Sequence, residues 1–244
     1  MRVGEVRAVT ALPRLLVTCE HGGNRVPVRY RRLFATLKRV LDSHRGLDLG
    51  ALTVARDLAR AFHAPLVPAT VTRLLVDLNR SVGHPQLFSE ATRNLQAHER
   101  ARILQTYYLP YRTKVEQTLE SMISRGGSMI HISSHSFTPV LGDQVRSAEI
   151  GLLYDPSRKR EAELAARWRR ALVGMARTWR VRRNYPYRGY NDGLTSHLRR
   201  RFPARDYIGL EIEVNQALVA QGGAEWRGAR AMLTGSLREA LRDL

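Results

Sequence analysis

The chain has 244 residues, of which 43% are hydrophobic and 25% are charged, with a formal net charge of +18, as in an ordinary but basic globular protein. No apolar run reaches about 18 residues, which argues against a transmembrane helix, and the single cysteine, Cys19, excludes an intrachain disulfide. Residues 1–16 carry four charged side chains and lack the apolar stretch of a signal peptide, so we expect a cytoplasmic protein.

Apolar runs and helical periods alternate along the chain, which predicts an α/β fold. The predicted strands cover residues 15–18, 65–69, 73–78, 129–133, 150–154 and 207–214. The predicted helices cover residues 27–41, 46–62, 97–124, 159–179 and 224–241, and Pro110 can bend the third of them. Two polar loops, 134–146 and 184–193, are candidates for functional segments. We find no repeat and no linker, so one domain over residues 1–244 is predicted.

Several predicted strands end in side chains that bind metals or move protons. The first is followed by Glu20 and His21, another by Asn79 and Arg80, and a later one by His135. Open α/β sheets place ligands at the carboxyl ends of their strands, so these side chains are expected to lie close together. A single histidine on a strand is more often structural than a ligand. The joint occurrence of these side chains at the ends of several strands favours a metal hydrolase.

The last predicted strand carries Glu211 and Glu213, two residues apart and therefore on one face. Two carboxylates in so apolar a strand are costly to bury without partners. We expect at least one of them to face a cleft, a metal ion or an arginine. Simple pairing with some of the many arginines is the alternative.

Five segments resemble the N-formylglutamate amidohydrolase family, in the same order and with similar spacing. They are Cys-Glu-His-Gly-Gly-Asn-Arg-Val-Pro at 19–27, Arg73 with Val-Asp-Leu-Asn-Arg at 76–80, Ser-Ser-His-Ser-Phe-Thr-Pro at 133–139, Asn-Asp-Gly at 191–193 and Glu-Ile-Glu-Val-Asn-Gln at 211–216. That family is similar to the zinc carboxypeptidases and aspartoacylases. The resemblance implies a single three-layer α/β/α domain, zinc-carboxypeptidase-like, with a mixed and mostly parallel central sheet.

The resemblance also implies a Zn²⁺ ion bound by His21 and His135. Zinc carboxypeptidases use a His-x-x-Glu pair, but this chain has Asn24 at the position of that glutamate. Asp48 matches an acidic position of the family and is our first choice for the third ligand, and Glu20 is the alternative. Two imidazoles and one carboxylate leave a fourth zinc position open for water.

Catalytic and substrate-binding roles follow from the same resemblance. Glu213 matches the general base of the related enzymes, and Glu211 is its neighbour on the strand. The residues expected to bind the carboxylates of the substrate are Asn79, Arg80, Arg73 and Arg146. A planar guanidinium can hold a carboxylate through two parallel hydrogen bonds.

Two further residues have competing interpretations. Cys19 could act as a nucleophile with His21, but adjacent strand residues point to opposite faces, so we do not favour this. Asp192 could close the site or cap a helix starting near Gly193, and capping is the simpler interpretation.

The implied function is zinc-dependent hydrolysis of an N-acyl acidic amino acid such as N-formyl-L-glutamate, giving formate and L-glutamate. One alternative is a hydrolase of another N-acyl amino acid or small peptide on the same scaffold. Another is a basic protein that binds anions or nucleic acid. Only three of the 40 basic residues are lysine, and no nucleic-acid motif accompanies the charge. We therefore interpret the charge as compositional bias and expect neither a nucleic-acid nor a membrane partner.

Overall fold

The computed structural model describes residues 14–242 and contains eight strands within that range. In chain order they are β1 (Leu15–Cys19), β2 (Leu66–Pro68), β3 (Met129–Phe137), β4 (Val140–Leu141), β5 (Gln144–Val145), β6 (Ile150–Leu153), β7 (Val181–Arg183) and β8 (Tyr207–Asn215). Six of them form one sheet in the order β2-β1-β3-β8-β6-β7, and β4 pairs with β5 in a hairpin. Only β6 and β8 are antiparallel neighbours in the sheet, so the predicted mixed, mostly parallel sheet is confirmed.

Helices cover both faces of this sheet. They are α1 (Lys38–Leu41), α2 (Ala51–Ala61), α3 (Ala97–Ile103), α4 (Leu109–Ile123), α5 (Lys159–Met175), α6 (Leu194–Arg201), α7 (Gln216–Gln221) and α8 (Gly223–Ala240). Alternate residues of each strand enter different cores: Leu15 and Val17 pack with α2, α5 and α8, whereas Leu16 packs with α4 and α6. The two cores make the three-layer α/β/α arrangement that the sequence predicted.

The centre of the sheet consists of β3 and β8, two nine-residue strands buried at every position. Runs that are apolar on both faces suit a strand covered by helices on both sides. The register places Ser133 beside Glu211 and His135 beside Glu213. Register partners share a face, so the polar residues at the carboxyl end of β3 and near that end of β8 are brought together. We predicted a loop starting at Ser134, but the strand β3 continues to Phe137 and the loop starts after it.

The strand predicted at residues 73–78 is absent from the described chain; these residues form a buried turn. The carbonyl of Leu74 accepts hydrogen bonds from the hydroxyls of Ser89 and Thr92, and the carbonyl of Leu75 accepts one from Thr92. Side chains from a later segment thus satisfy backbone groups that a neighbouring strand would otherwise bind. The apolar run correctly predicted that residues 74–78 are buried, but it predicted a strand where the structure has a turn.

Several helix boundaries also differ from the predictions. Residues 27–41 contain a 3-10 helix, Val28–Phe34, and the short α1 instead of one helix. The helix expected from residue 46 starts only after Gly50, whose φ of 78° lies in the left-handed region. Pro110 lies in the first turn of α4, directly after a π-helical segment, Leu104–Tyr108, that separates α3 from α4.

Among the described residues, no helix is long and apolar enough to span a bilayer. The N-terminal stretch on which we predicted the absence of a signal peptide lies almost entirely outside the described residues.

Candidate active site

A cavity of about 530 Å³ opens where β1, β3 and β8 carry their polar residues. It is lined by most of the predicted site residues: His21, Asp48, Arg73, Asn79, Arg80, His135, Glu211 and Glu213. The cavity is therefore the place where residues from distant parts of the chain meet, as expected at the carboxyl ends of parallel strands.

Three of these residues form a group that can hold a metal ion. One nitrogen or oxygen from each of His21, Asp48 and His135 lies within 4.8 Å of the others, and all three residues are buried. Both imidazole Nδ1 atoms face the same carboxylate oxygen, Asp48 Oδ2, at 3.4 Å for His21 and 2.9 Å for His135. The Asp48 amide donates to the His21 carbonyl at 2.9 Å, which fixes Asp48 relative to the end of β1.

The opposite nitrogen of His21 is bound by a second carboxylate. His21 Nε2 lies 2.7 Å from Asp77 Oδ1. Asp77 also accepts hydrogen bonds from Arg73, at 2.8 Å, and from the backbone amide of Asn79, at 2.9 Å. We call His21, Asp77 and Arg73 the His21 arm. Such a carboxylate behind an imidazole fixes the ring orientation and its tautomer.

The opposite nitrogen of His135 is bound in the same way by Glu20, whose Oε2 lies 2.9 Å from His135 Nε2. Glu20 is fully buried and accepts hydrogen bonds from the hydroxyls of Ser133 and Tyr111. We call His135, Glu20, Ser133 and Tyr111 the His135 arm. Glu20, our alternative third ligand, thus lies on the side of the imidazole away from Asp48.

The charges in this group are strongly coupled. Burial alone would raise the pKa of Asp48, but His21, His135 and Arg73 hold it well below its usual range. Burial alone would lower the pKa of His135, but hydrogen bonds to Asp48 and Glu20 raise it well above its usual value. The two carboxylates beside His135 thus favour its protonated form.

Glu213 has a different environment from the other carboxylates. It is buried beside His135 in the sheet, and its Oε2 has no hydrogen-bond partner within residues 14–242. Burial raises its pKa to about 8, and the negative charges of Asp48 and Glu211 add to the effect. Glu211, in contrast, accepts a hydrogen bond from the Thr195 hydroxyl. A carboxyl group with a pKa near neutrality can both accept and donate a proton.

The predicted substrate-binding arginines differ in the ion-pair and hydrogen-bond partners that they already have within the protein. Arg73 is committed to two carboxylates, Asp48 at 3.2 Å and Asp77 at 2.8 Å. Arg80 donates from Nη1 to the carbonyl of Asp192 at 2.6 Å, while its buried Nε has no partner in the described part of the chain. Arg80 is thus the better placed of the two to receive a carboxylate.

Asn79 and Asp192 connect this turn to the 184–193 loop. Asn79 Oδ1 accepts from the amide of Leu194 at 2.7 Å and so caps the start of α6. Asp192, which we predicted as that cap, instead accepts from the Ser81 amide and hydroxyl. The Asp192 prediction was therefore wrong, because the side chain turns toward residue 81.

Arg146 is buried but does not line the cavity itself. Its guanidinium lies 6.0 Å from the ring centre of Phe137 and 5.1 Å from that of Tyr187, both of which line the cavity. Its Nη1 donates to the Tyr187 hydroxyl at 3.1 Å. Arg146, the third predicted arginine, thus contacts two residues of the cavity wall from the side away from the cavity.

Asp77 and Tyr111, which support the two histidines, were not predicted as site residues from the sequence. An acidic residue inside the apolar run Leu74–Leu78 was a usable signal for Asp77, whereas Tyr111 gave none. Cys19 is fully buried, and burial raises the pKa of its thiol well above the usual value, which agrees with our rejecting it as a nucleophile.

A buried group of two histidines and an aspartate at the edge of an α/β sheet is typical of metal-dependent hydrolases. The sequence matches the N-formylglutamate amidohydrolase family over residues 13–220, and the chain belongs to this family of amide-bond hydrolases. The resemblance seen in the sequence segments is confirmed.

Two solved structures share this fold, and a third matches the chain more weakly. The gene product Atu2144 of Agrobacterium tumefaciens is 29% identical, with a TM-score of 0.79 over 95% of this chain and 91% of that one. An N-formylglutamate amidohydrolase of Ralstonia eutropha JMP134 is 20% identical, with a TM-score of 0.69 over 95% and 97%. A metallo-carboxypeptidase of Burkholderia cenocepacia is 13% identical, with a TM-score of 0.41 over 96% and 57%. None of the curated proteins compared with the chain matches it.

Proposed function

We propose that this protein is a zinc-dependent amidohydrolase that cleaves an N-acyl acidic amino acid, such as N-formyl-L-glutamate, to formate and L-glutamate. Family membership supports the reaction class. The observation that carries the proposal is the convergence of His21, Asp48 and His135 within 4.8 Å, in a cavity that also holds the unpartnered carboxyl group of Glu213.

The donor set fits zinc. Two neutral imidazoles and one carboxylate are ligands that Zn²⁺ binds, and three protein ligands are typical of catalytic rather than structural zinc sites. The carboxylates behind the two imidazoles also match the way metal-binding histidines are oriented in proteins. Bound there, a zinc ion supplies Lewis-acid chemistry by polarising a carbonyl oxygen and making water more acidic.

Glu213 would move the protons of the reaction. Its ionised form accepts a proton from the attacking water, and its protonated form donates that proton to the leaving nitrogen. The raised pKa favours both steps near neutral pH, because neither protonation state is strongly disfavoured. The partnerless Oε2 leaves one oxygen available for this exchange.

Arg80 and Asn79 would bind a carboxylate of the substrate. Both line the cavity, and the partnerless Nε of Arg80 is a donor that a substrate carboxylate can satisfy. The bond from Arg80 Nη1 to the Asp192 carbonyl would hold the guanidinium in place for this contact.

Two finer expectations belong with this proposal. We infer one domain over residues 1–244, supported by cores that are shared by elements from both halves of the chain. We also infer a cytoplasmic location, supported by the single, buried cysteine.

The direct test combines metal analysis with a panel of substrates. Purified protein should contain about one zinc per chain, and a chelator should abolish formate release from N-formyl-L-glutamate. The N-formyl, N-acetyl and N-succinyl derivatives of glutamate and aspartate would identify the preferred acyl group and amino acid. Zinc-loaded protein that hydrolyses none of them would contradict the proposal, as would activity that the chelator leaves intact.

A further inference from the structure

A second cavity, of about 200 Å³, lies beside the 76–78 turn, and none of the described residues that line it also line the active-site cavity. Asp77 lines the active-site cavity, whereas its neighbours Val76 and Leu78 line the second one, so the turn forms a wall of both. We call this second cavity the tyrosine pocket. The residues of its lining that bear on its function are Arg25, Thr70, Val76, Leu78, Tyr107 and Tyr111.

Part of the wall of the tyrosine pocket offers carbon surface that needs no polar partner. Val76 and Leu78 are buried aliphatic residues. The hydroxyl of Tyr111 already donates to Glu20 at 2.8 Å and lies 3.1 Å from the carbonyl of Val67, so this tyrosine needs no hydrogen bond from the pocket. An apolar cavity of about 150 Å³ can bind benzene, and the tyrosine pocket is therefore large enough for a single aromatic ring.

Polar groups without partners line the same pocket. Arg25 is exposed, and its guanidinium forms no ion pair or hydrogen bond with a described residue; the same holds for the hydroxyl of Tyr107. The backbone of Arg25 is fixed, because its amide donates to the Thr70 carbonyl at 2.9 Å and its carbonyl accepts from the Thr72 amide at 3.0 Å. A cation fixed beside an apolar pocket suits a ligand with an apolar body and an anionic group.

The helical segment beside the pocket departs from regular α-helix at this place. The π-helical segment Leu104–Tyr108 contributes Tyr107 to the pocket, and α4, which follows it, contributes Tyr111. Single π-helical turns within an α-helix occur frequently at functional sites. The local geometry of the helix therefore agrees with a binding role for the two tyrosines.

We propose that the tyrosine pocket binds a small carboxylate whose apolar body is about the size of one aromatic ring. The apolar body would contact Val76, Leu78 and Tyr111. The carboxylate would bind the Arg25 guanidinium and accept a hydrogen bond from the Tyr107 hydroxyl. This site goes beyond the proposed hydrolysis, because its described lining residues are separate from those of the active-site cavity.

The experiment uses phenylacetate as the ligand and phenylacetamide as its uncharged counterpart of similar shape. Isothermal titration calorimetry on the zinc-loaded protein should show phenylacetate binding with a Kd below about 1 mM. Phenylacetamide should bind about 10-fold more weakly, because it lacks the charge that Arg25 would bind.

Two variants and one matched control locate the ligand. Arg25→Met should weaken the binding of phenylacetate by about 10-fold and leave that of phenylacetamide unchanged. Arg31→Met is the control, since the Arg31 side chain is also exposed and without a partner among the described residues, but lies outside the pocket lining. Arg80→Met, which changes the active-site cavity, should bind phenylacetate as the wild type does.

Three results would overturn the proposal. They are no detectable binding of phenylacetate, equal affinities for phenylacetate and phenylacetamide, and unchanged phenylacetate binding in Arg25→Met. The last of these, together with a loss of binding in Arg80→Met, would place the ligand in the active-site cavity instead. Because every readout is a binding measurement, the result does not depend on whether the protein hydrolyses N-formyl-L-glutamate.

Discussion

The His21 arm and the His135 arm place a carboxylate behind an imidazole in two different environments. In the His21 arm the carboxylate is neutralised by an arginine at the cavity wall. In the His135 arm it is fully buried and held by hydroxyl groups. Both carboxylates orient an imidazole. The one behind His21 belongs to the charge balance of the cavity, whereas the one behind His135 contributes to the stability of the core.

The largest effect should come from removing either imidazole. His21→Ala and His135→Ala are each expected to lose bound zinc and to release no detectable formate, because two ligands hold a catalytic zinc poorly. Elemental analysis and a formate assay measure both. His197→Ala is the control, since His197 is also paired with a carboxylate, Glu116 at 2.7 Å, but lies outside the cavity lining. Unchanged zinc content in either variant would refute the ligand assignment.

Glu213 belongs to neither arm, and its Oε2 has no hydrogen-bond donor among the described residues. Glu213→Gln should lower kcat by roughly 10²–10⁴-fold, the usual contribution of a general acid–base group, while zinc content stays the same. Activity within a few-fold of wild type would exclude Glu213 as the base.

Glu213→Gln should lower activity, but in the metal-free protein it should raise the stability of the fold at high pH. The pKa of Glu213 is raised from about 4.5 in the unfolded chain to about 8 in the fold, so the carboxyl group destabilises the fold increasingly as pH rises between these values. Glu213→Gln should therefore be more stable than wild type at pH 8.5, by about 2 kcal/mol or more, and similar to it at pH 4. Urea unfolding of chelator-treated protein at both pH values measures this. A stability difference that does not change with pH would show that the charge is not the cause.

Neutralising the carboxylate of each arm should separate the two arms directly. Glu20→Gln removes the fully buried one of the two carboxylates that contact His135, and should cost about 3 kcal/mol in metal-free protein. Asp77→Asn should cost only about 1 kcal/mol, because Arg73 keeps its bond to Asp48. Zinc affinity should fall by about 10–100-fold in both. Urea unfolding and zinc titration give the two quantities, and equal losses of stability would show that the arms do not differ.

The smallest effect should come from one hydroxyl of the His135 arm. Tyr111→Phe removes a hydrogen bond of 2.8 Å to Glu20 and should destabilise the protein by about 1 kcal/mol. Zinc affinity should change less than in Glu20→Gln, since Ser133 still binds the carboxylate. Tyr190→Phe, an exposed tyrosine, is the control and should have no measurable effect on thermal stability.

Much of the fold follows from the sequence because the central strands begin with mostly apolar residues. The runs at β1, β3 and β8 predicted strands, and the structure contains them. Residues 73–78 are as apolar, yet they form a turn, because hydroxyls of Ser89 and Thr92 satisfy their backbone carbonyls. Those hydroxyls come from residues up to 18 positions away, so a pattern read within the run could not reveal them.

The site was predictable to the extent that its residues follow strands or match a known motif. His21, Asp48 and His135 were named from the sequence and lie together in the fold. Asp77 and Tyr111 were not, because their roles depend on which side of an imidazole they approach. That geometry arises from the packing of α4 and the 73–81 turn against the sheet, and no local spacing encodes it.

The 184–193 loop is fastened near both ends and at the buried Gly189, and it is exposed at positions 187 and 188. Asn184 Oδ1 accepts from the amides of Tyr154 and Gly189, each at 3.0 Å, and Asp192 is bound by Ser81. These anchors do not depend on the side chains at positions 187 and 188, which are exposed and line the cavity. The loop is therefore a natural graft point, where new tip residues can reshape the cavity entrance while both histidine arms keep their contacts.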